Sequence, residues 1–172
     1  MILLANRHLV SLREQWPKLA YRRPGALRDN HHIVDHYAVI GNVRYAFAVK
    51  ATEFLVESKI MDIRDLLIEQ NDGKFFDEFI VVTDEQITPA RSDNAEEIVI
   101  ACDNRNERHC ALVMDFMRTI HRPIHFLEVE RTLPPDIDVR NSLLCLVYDG
   151  LVEHLSPDEH FDDAPFLRTA FN

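Results

Sequence analysis

Residues 31–50 read His31-His32-Ile33-Val34-Asp35-His36-Tyr37-Ala38-Val39-Ile40-Gly41-Asn42-Val43-Arg44-Tyr45-Ala46-Phe47-Ala48-Val49-Lys50. Two runs rich in aromatic and β-branched residues, His32 to Val39 and Arg44 to Lys50, flank Gly41-Asn42. A two-residue Gly-Asn turn between such runs predicts a β-hairpin. The hairpin puts Asp35 on one strand and Lys50 at the end of the next. Many metal-dependent nucleases present an acid and a lysine in this way. The carboxylate, with a second acid two residues before the lysine, holds Mg²⁺, and the lysine orients or activates the attacking water. The plainer alternative is an ordinary strand-edge pair without metal. Alternation along one strand turns His31 and Asp35 to one face and His32 and His36 to the other. A surface histidine patch is the expectation there.

Outward from this hairpin the pattern changes several times. Leu9 to Gln15 predicts a short helix stopped by Pro17, with Trp16 a packed anchor, and Pro24-Gly25 marks a turn. Ser58 is positioned to cap a helix running to about Gln70, with Ile60, Ile63 and Leu67 on one face. Asn71-Asp72-Gly73 ends it. Phe75 to Thr83 is aromatic and β-branched and predicts a buried strand. The polar stretch from Thr88-Pro89 to Asp93 marks a domain boundary. Residues 97–102 fit either a strand or a helix beginning at Asn94. Arg108 to His121 and Asp136 to Asp149 have helical periodicity, the second ended by Gly150, and Leu151 to Leu155 predicts a short strand.

The chain has 172 residues, 47% of them hydrophobic, with a formal net charge of -10. That length suits one domain or two small ones. Residues 1 to 50 carry eight Lys/Arg and three Asp/Glu, so 8 - 3 = +5, and the remainder carries 11 - 26 = -15. Any polyanion contact is therefore expected near the N-terminus, at the cluster Arg22, Arg23 and Arg28. The apolar runs are too short to span a bilayer. No signal peptide is expected, and three cysteines suggest free thiols in the cytoplasm. With four glycines the chain has no glycine-rich phosphate loop.

Four stretches make the chain resemble the TnsA-type transposon endonucleases of the restriction-endonuclease-like superfamily, over roughly residues 17 to 155. Tyr21-Arg22-Arg23-Pro24 is similar to a basic or polar residue before a proline. His31 to Tyr37 resembles an H-x-P-D-F strand, and Arg44 to Lys50 an E/Q-x-K strand. Phe79 to Ile87, followed by Asn94-Ala95, is similar to the strand and turn that close the catalytic domain. Leu143 to Leu146 through Gly150 to Glu153 is similar to the family's final helix and wing. The resemblance implies an α+β protein. A restriction-endonuclease-like α/β domain spans residues 1–88, a helical, winged-helix-like domain spans 89–156, and an acidic tail follows over 157–172. It implies that Asp35 is the metal acid and Lys50 the lysine.

The chain also departs from that pattern. Ala48 stands where the second acid or a glutamine is expected, and Val34 replaces the proline. The family has a glutamate well upstream of the metal acid, whereas Glu14 is the only acid before Asp29 and stands close to Asp35. Weak Mg²⁺ binding at best is the expectation, with DNA cleavage eroded. The chain is then expected to act through DNA and protein binding in a transposon, phage or defence complex. A contrasting expectation is a small acidic inhibitor or immunity-type protein that occludes a nucleic-acid-binding enzyme. Cys102, His109 and Cys110, with His121 and His125, were the available zinc ligands, but their spacing lacks the close cysteine pairs of structural zinc sites. Ile98 to Asp103 before a helix also admits a topoisomerase-primase-type strand ending in an acid.

Overall fold

Residues 9–15 form a strand instead of the expected helix. In the computed structural model, which describes residues 1–163 and 166–170, β1 (Leu9–Glu14) runs antiparallel to β4 (His36–Ile40). A bulge between Leu9 and Ser11 sets Leu9 opposite Ile40 and Leu12 opposite Ala38. The extra residue shifts the alternation, so two leucines three apart face the same side of the sheet. That spacing is what imitates a helix in the sequence.

The expected strand over 32–39 is two strands in two sheets. β2 (Lys18–Tyr21) and β3 (Asn30–Ile33) form a separate antiparallel ribbon, with Lys18 opposite Ile33 and Tyr21 opposite Asn30. The chain leaves the ribbon at Val34, which is fully buried and donates its amide to the Pro17 carbonyl at 3.1 Å. It enters β4 after Asp35, whose amide donates to Phe47 O at 3.0 Å. β4 then pairs with β5 (Val43–Val49) in the predicted hairpin. Ile40 lies opposite Val43, and Gly41 takes the left-handed backbone that the two-residue turn requires (φ 58).

After β5 come a 3-10 turn (Thr52–Phe54), the one-turn helix α1 (Leu55–Ser58) and α2 (Ile60–Asn71). Lys59, at φ 52, is the N-cap residue of α2, while Ser58 Oγ accepts only a long bond from the Ile60 amide, 3.4 Å. Ile60 and Leu67 are buried and Ile63 packs beside them, which is the predicted face. Asp72 (φ 51) and Gly73 (φ 65) terminate the helix. β6 (Glu78–Val82) returns parallel to β5, so the sheet order is β1-β4-β5-β6. Arg44 fixes this return. Its guanidinium donates to both Asp77 oxygens (2.7 and 3.1 Å), to Gly73 O (2.8 Å) and to Lys74 O (3.0 Å). Leu19, Val34, Ala46, Ala48, Leu67 and Phe79 belong to the core of this part.

The chain divides into two compact units, His8–Ile87 and Met1–Arg7 with Thr88–Asn172. The second unit begins with α3 (Pro89–Asp103), so residues 97–102 are helical. The helix starts earlier than Asn94. Thr88 Oγ1 accepts from the Arg91 amide at 3.2 Å, and Pro89 occupies the first helical position, which needs no amide donor. α4 (Glu107–Arg118), β7 (Ile124–His125), α5 (Phe126–Thr132), α6 (Val139–Tyr148), β8 (Val152–His154) and β9 (Phe166–Thr169) follow. The three strands form an antiparallel sheet in the order β7-β9-β8. Part of the segment expected as an acidic tail thus supplies the middle strand, with Leu167 fully buried. Residues 164, 165, 171 and 172 of that tail lie outside the described residues.

The architecture is α+β: a mixed sheet with helices, then a helical region with a small antiparallel sheet. No helix among the described residues is long and apolar enough to cross a membrane.

Candidate functional site

Asp35 immediately precedes β4 and Lys50 immediately follows β5. Because these strands are antiparallel neighbours, both residues lie at one end of the sheet. The Asp35 carboxylate is already engaged. Oδ2 accepts the Val49 amide at 2.8 Å, and Oδ1 accepts a long bond from Gln15 Nε2 at 3.4 Å. Gln15 is held in place by its own amide, which donates to Asp35 O at 2.9 Å, and by a left-handed backbone (φ 51). The Lys50 amide donates to Val82 O at 3.0 Å, and its ammonium has no hydrogen-bond or ion-pair partner among the described residues. Both side chains are half-buried.

The histidines sort differently from the single-strand expectation, because the chain changes sheets at Val34. His31 is exposed. His32 is half-buried, its ring 5.9 Å from Phe79, and it feels the charges of both Asp35 and Lys50. Burial pushes its pKa below the ordinary 6.5, Asp35 opposes that and Lys50 adds to it, so His32 is neutral near pH 7. His32 Nε2 and His36 Nδ1 are enclosed without a hydrogen-bond partner.

Position 48 explains the remaining chemistry. Ala48 is 0% exposed and sits in the core with Ile60 and Leu67. It offers no oxygen, and its surroundings leave no room for a longer side chain without repacking. Glu14 lies opposite His36 in the strand register and is exposed, so Gln15, not Glu14, is the residue of β1's end that reaches Asp35. No three His, Cys, Asp or Glu side chains among the described residues come together as metal ligands. Asp35 thus offers a single carboxylate with lone pairs still open on both oxygens, and no second acid among the described residues stands beside it to complete a Mg²⁺ centre.

The three arginines lie at the far end of the β2–β3 ribbon. Pro17 and Val34 mark its base beside Asp35, and residues 22–29 form its tip. Four to five residues of strand put the tip roughly 15 Å from the acid. Arg22 is tied down: Nε pairs with Asp29 Oδ1 at 2.7 Å, which also raises its pKa. Gln70 grips its backbone, accepting from the Arg22 amide at 2.8 Å and donating to the Arg22 carbonyl at 2.9 Å. Arg23 and Arg28 are exposed and have no ion-pair partner among the described residues. No protein-family model matches the chain, and no curated protein is a significant match to it.

The cysteine and histidine candidates of the second unit do not gather into a ligand set among the described residues. Cys102, Cys110 and Cys145 are free thiols. Cys145 donates to Ala101 O at 3.3 Å, and burial, with the neighbouring thiols Cys110 and Cys102, pushes its pKa up to about 12. His109 Nδ1 accepts the Asp138 amide at 3.2 Å, and His125 Nδ1 accepts the Leu127 amide at 3.2 Å as the N-cap of α5. Ile98 to Asp103 lies in α3, so the strand ending in an acid is not present. Gln15 and Gln70 are the residues that sequence reasoning missed. A glutamine carries no pattern of its own, and only the fold brings each one to its partner.

Proposed function

We propose that this chain is a DNA-transaction protein of the TnsA-like kind, with a restriction-endonuclease-like core kept for binding and a cleavage centre that has been lost. What carries this is the state of Asp35. It stands at the same sheet end as Lys50, where an acid–lysine centre would be assembled, yet its Oδ2 already accepts the Val49 amide and the neighbouring position 48 is a buried alanine instead of a second acid. The β1-β4-β5 meander followed by α2 and the parallel β6 supports the core assignment. In the second unit, α4, β7, α5, α6, β8 and β9 follow in the helix–strand–helix–helix–strand–strand order of a winged helix.

DNA contact falls to the ribbon, through Arg23 and Arg28 with Arg22 at its neck. The second unit suits a protein partner better. Its α6, the helix that a winged helix normally lays in the major groove, has no exposed residue. Arg140 is held by Glu97 (2.6 Å) and Asp162, and Asn141 donates to Ala101 O and Asn104 O (3.2 Å each). Residues 88–172 carry 16 Asp/Glu against 8 Lys/Arg, an excess of acid that favours a basic protein surface.

The test is duplex-DNA binding followed across salt concentration, with cleavage assayed in Mg²⁺ and Mn²⁺. Binding that weakens in Arg23→Ala and Arg28→Ala, without cleavage, is the expected result. Cleavage abolished by Asp35→Ala and by Lys50→Ala overturns the loss of the centre. Failure to bind DNA, with salt-sensitive binding to a nucleic-acid enzyme that depends on carboxylates beyond residue 50, replaces the proposal with the inhibitor alternative.

A further inference from the structure

Leu27 is 97% exposed, the most exposed large hydrophobic side chain among the described residues. It is not on a loose segment. The Ala26 amide donates to Arg23 O at 3.0 Å, closing a turn with Pro24 and Gly25 at its centre, and Gly25 is at φ 75. A proline followed by a residue of positive φ is the pattern of a type II turn. Below the tip, the Arg22–Asp29 pair and the two Gln70 bonds fix the neck. A rigid ribbon thus holds one apolar side chain at its end. Arg28 is adjacent in sequence and Arg23 lies across the turn, both without ion-pair partners among the described residues.

We infer that the tip of the β2–β3 ribbon is a DNA-deforming wedge. Leu27 enters between base pairs from the minor groove while Arg23 and Arg28 hold the flanking phosphates. This rests on the DNA-binding function proposed above and adds its mode. Apolar wedges of this kind unstack a base step and kink the duplex, and cationic neighbours supply the phosphate contacts that position them. The folded chain gives Leu27 almost no contact, so its whole side chain is available to a partner. Behind the tip, Arg23 and Pro24 border an open depression that also bears Lys59 and three acids that outnumber it, Asp62, Asp65 and Glu69. Those carboxylates repel phosphates from that side, which favours an end-on approach through Leu27. A bilayer fits less well, because one leucine and two arginines are a weak anchor.

The experiment uses the whole chain and a duplex of roughly 30 base pairs containing a flexible TA step. The duplex carries a fluorophore pair at its ends and 2-aminopurine beside the step. The wild type is expected to shorten the end-to-end distance and raise 2-aminopurine emission. Leu27→Ala is expected to abolish both and to bind about tenfold more weakly, the factor for withdrawing roughly half a leucine's buried surface. Arg23→Ala and Arg28→Ala each reduce the salt slope by about 1. Because Leu27 is exposed, its replacement leaves the fold intact, as circular dichroism checks. Wild-type binding to straight, stacked DNA, or Leu27→Ala that still bends it, overturns the wedge and leaves DNA binding standing. Absence of duplex binding overturns both. Leu27-dependent binding to phosphatidylserine vesicles without duplex binding assigns the tip to a membrane surface and overturns the wedge as well.

Discussion

Ala48→Glu restores, on paper, the carboxylate missing two residues before Lys50. Ala48 is 0% exposed and lies opposite Val81 in the β5–β6 register, with Ile60 and Leu67 in the same core cluster. Overpacking such a site costs about 1–3 kcal/mol. A buried carboxyl without a hydrogen-bond partner adds about 1–3 kcal/mol even when neutral. Burial also holds the introduced carboxyl's pKa above its unfolded value of about 4.3. The folded state therefore prefers the protonated form. Below about pH 4 only the packing and polar costs apply. Above it roughly 1.4 kcal/mol more is lost per pH unit until the folded pKa is reached. Ala48→Gln has the same shape without the charge and is the reference. Urea unfolding should give similar midpoints for the two variants near pH 4 and a Glu variant less stable by at least about 2 kcal/mol near pH 7. DNA cleavage in Mg²⁺ should not appear. A Glu variant as stable as the Gln variant near pH 7, with Mg²⁺-dependent cleavage, would show that position 48 opens to solvent and metal, and would refute the reasoning.

Two further outcomes follow from single contacts. The Arg44 side chain, and then the Arg44 backbone amide, lower the Asp77 pKa from its ordinary 3.8 to about 2. The stability this carries is present above the unfolded pKa and is lost as pH falls through the folded one. Arg44→Met, which keeps the amide, should raise the Asp77 midpoint part of the way to 3.8 by carboxyl NMR and flatten the acid limb of the stability curve. An unmoved midpoint sinks the assignment. Asn94, 8% exposed, accepts the Phe161 amide at 2.8 Å and donates to Glu159 O at 2.8 Å. Asn94→Ala leaves that amide buried and unpaired and should cost about 1–3 kcal/mol in urea unfolding; a loss below about 0.5 kcal/mol would contradict it.

The parts of the fold that were legible are those where local pattern and tertiary environment agree. Gly41-Asn42 set the hairpin, and Ile60 and Leu67 set the face of α2. β1 was illegible because its bulge gives Leu9 and Leu12 a helical spacing. The switch between sheets at Val34 was illegible because no glycine or proline marks it; the Pro17 carbonyl, distant in sequence, accepts the amide that ends β3. Thr88-Pro89 reads as a domain boundary, and the units divide there; what the polar composition hides is that the same dipeptide also starts α3. At the candidate site the hairpin register alone brings Asp35 and Lys50 together. Which group occupies the Asp35 oxygens depends on the backbone of Val49 and on Gln15, and no side-chain pattern encodes either. The ribbon's cationic cluster was legible as charge, but the pairing of Arg22 with Asp29 leaves only Arg23 and Arg28 free of ion pairs.

On the reading proposed above, the alanine at 48 and the hydrogen-bonded state of Asp35 both weigh against a metal at this sheet end. A half-buried carboxylate without a cation needs another source of positive potential. The Val49 amide supplies a hydrogen bond to Oδ2, and the Lys50 ammonium lies just beyond it in the chain. Once position 48 is apolar, α2 and β6 pack over it with Leu67 and Phe79 in the same cluster. If the proposed reading holds, a metal-dependent centre here needs an acid at 48 and a smaller core neighbour to admit it, because Ala48 is 0% exposed among Ile60 and Leu67.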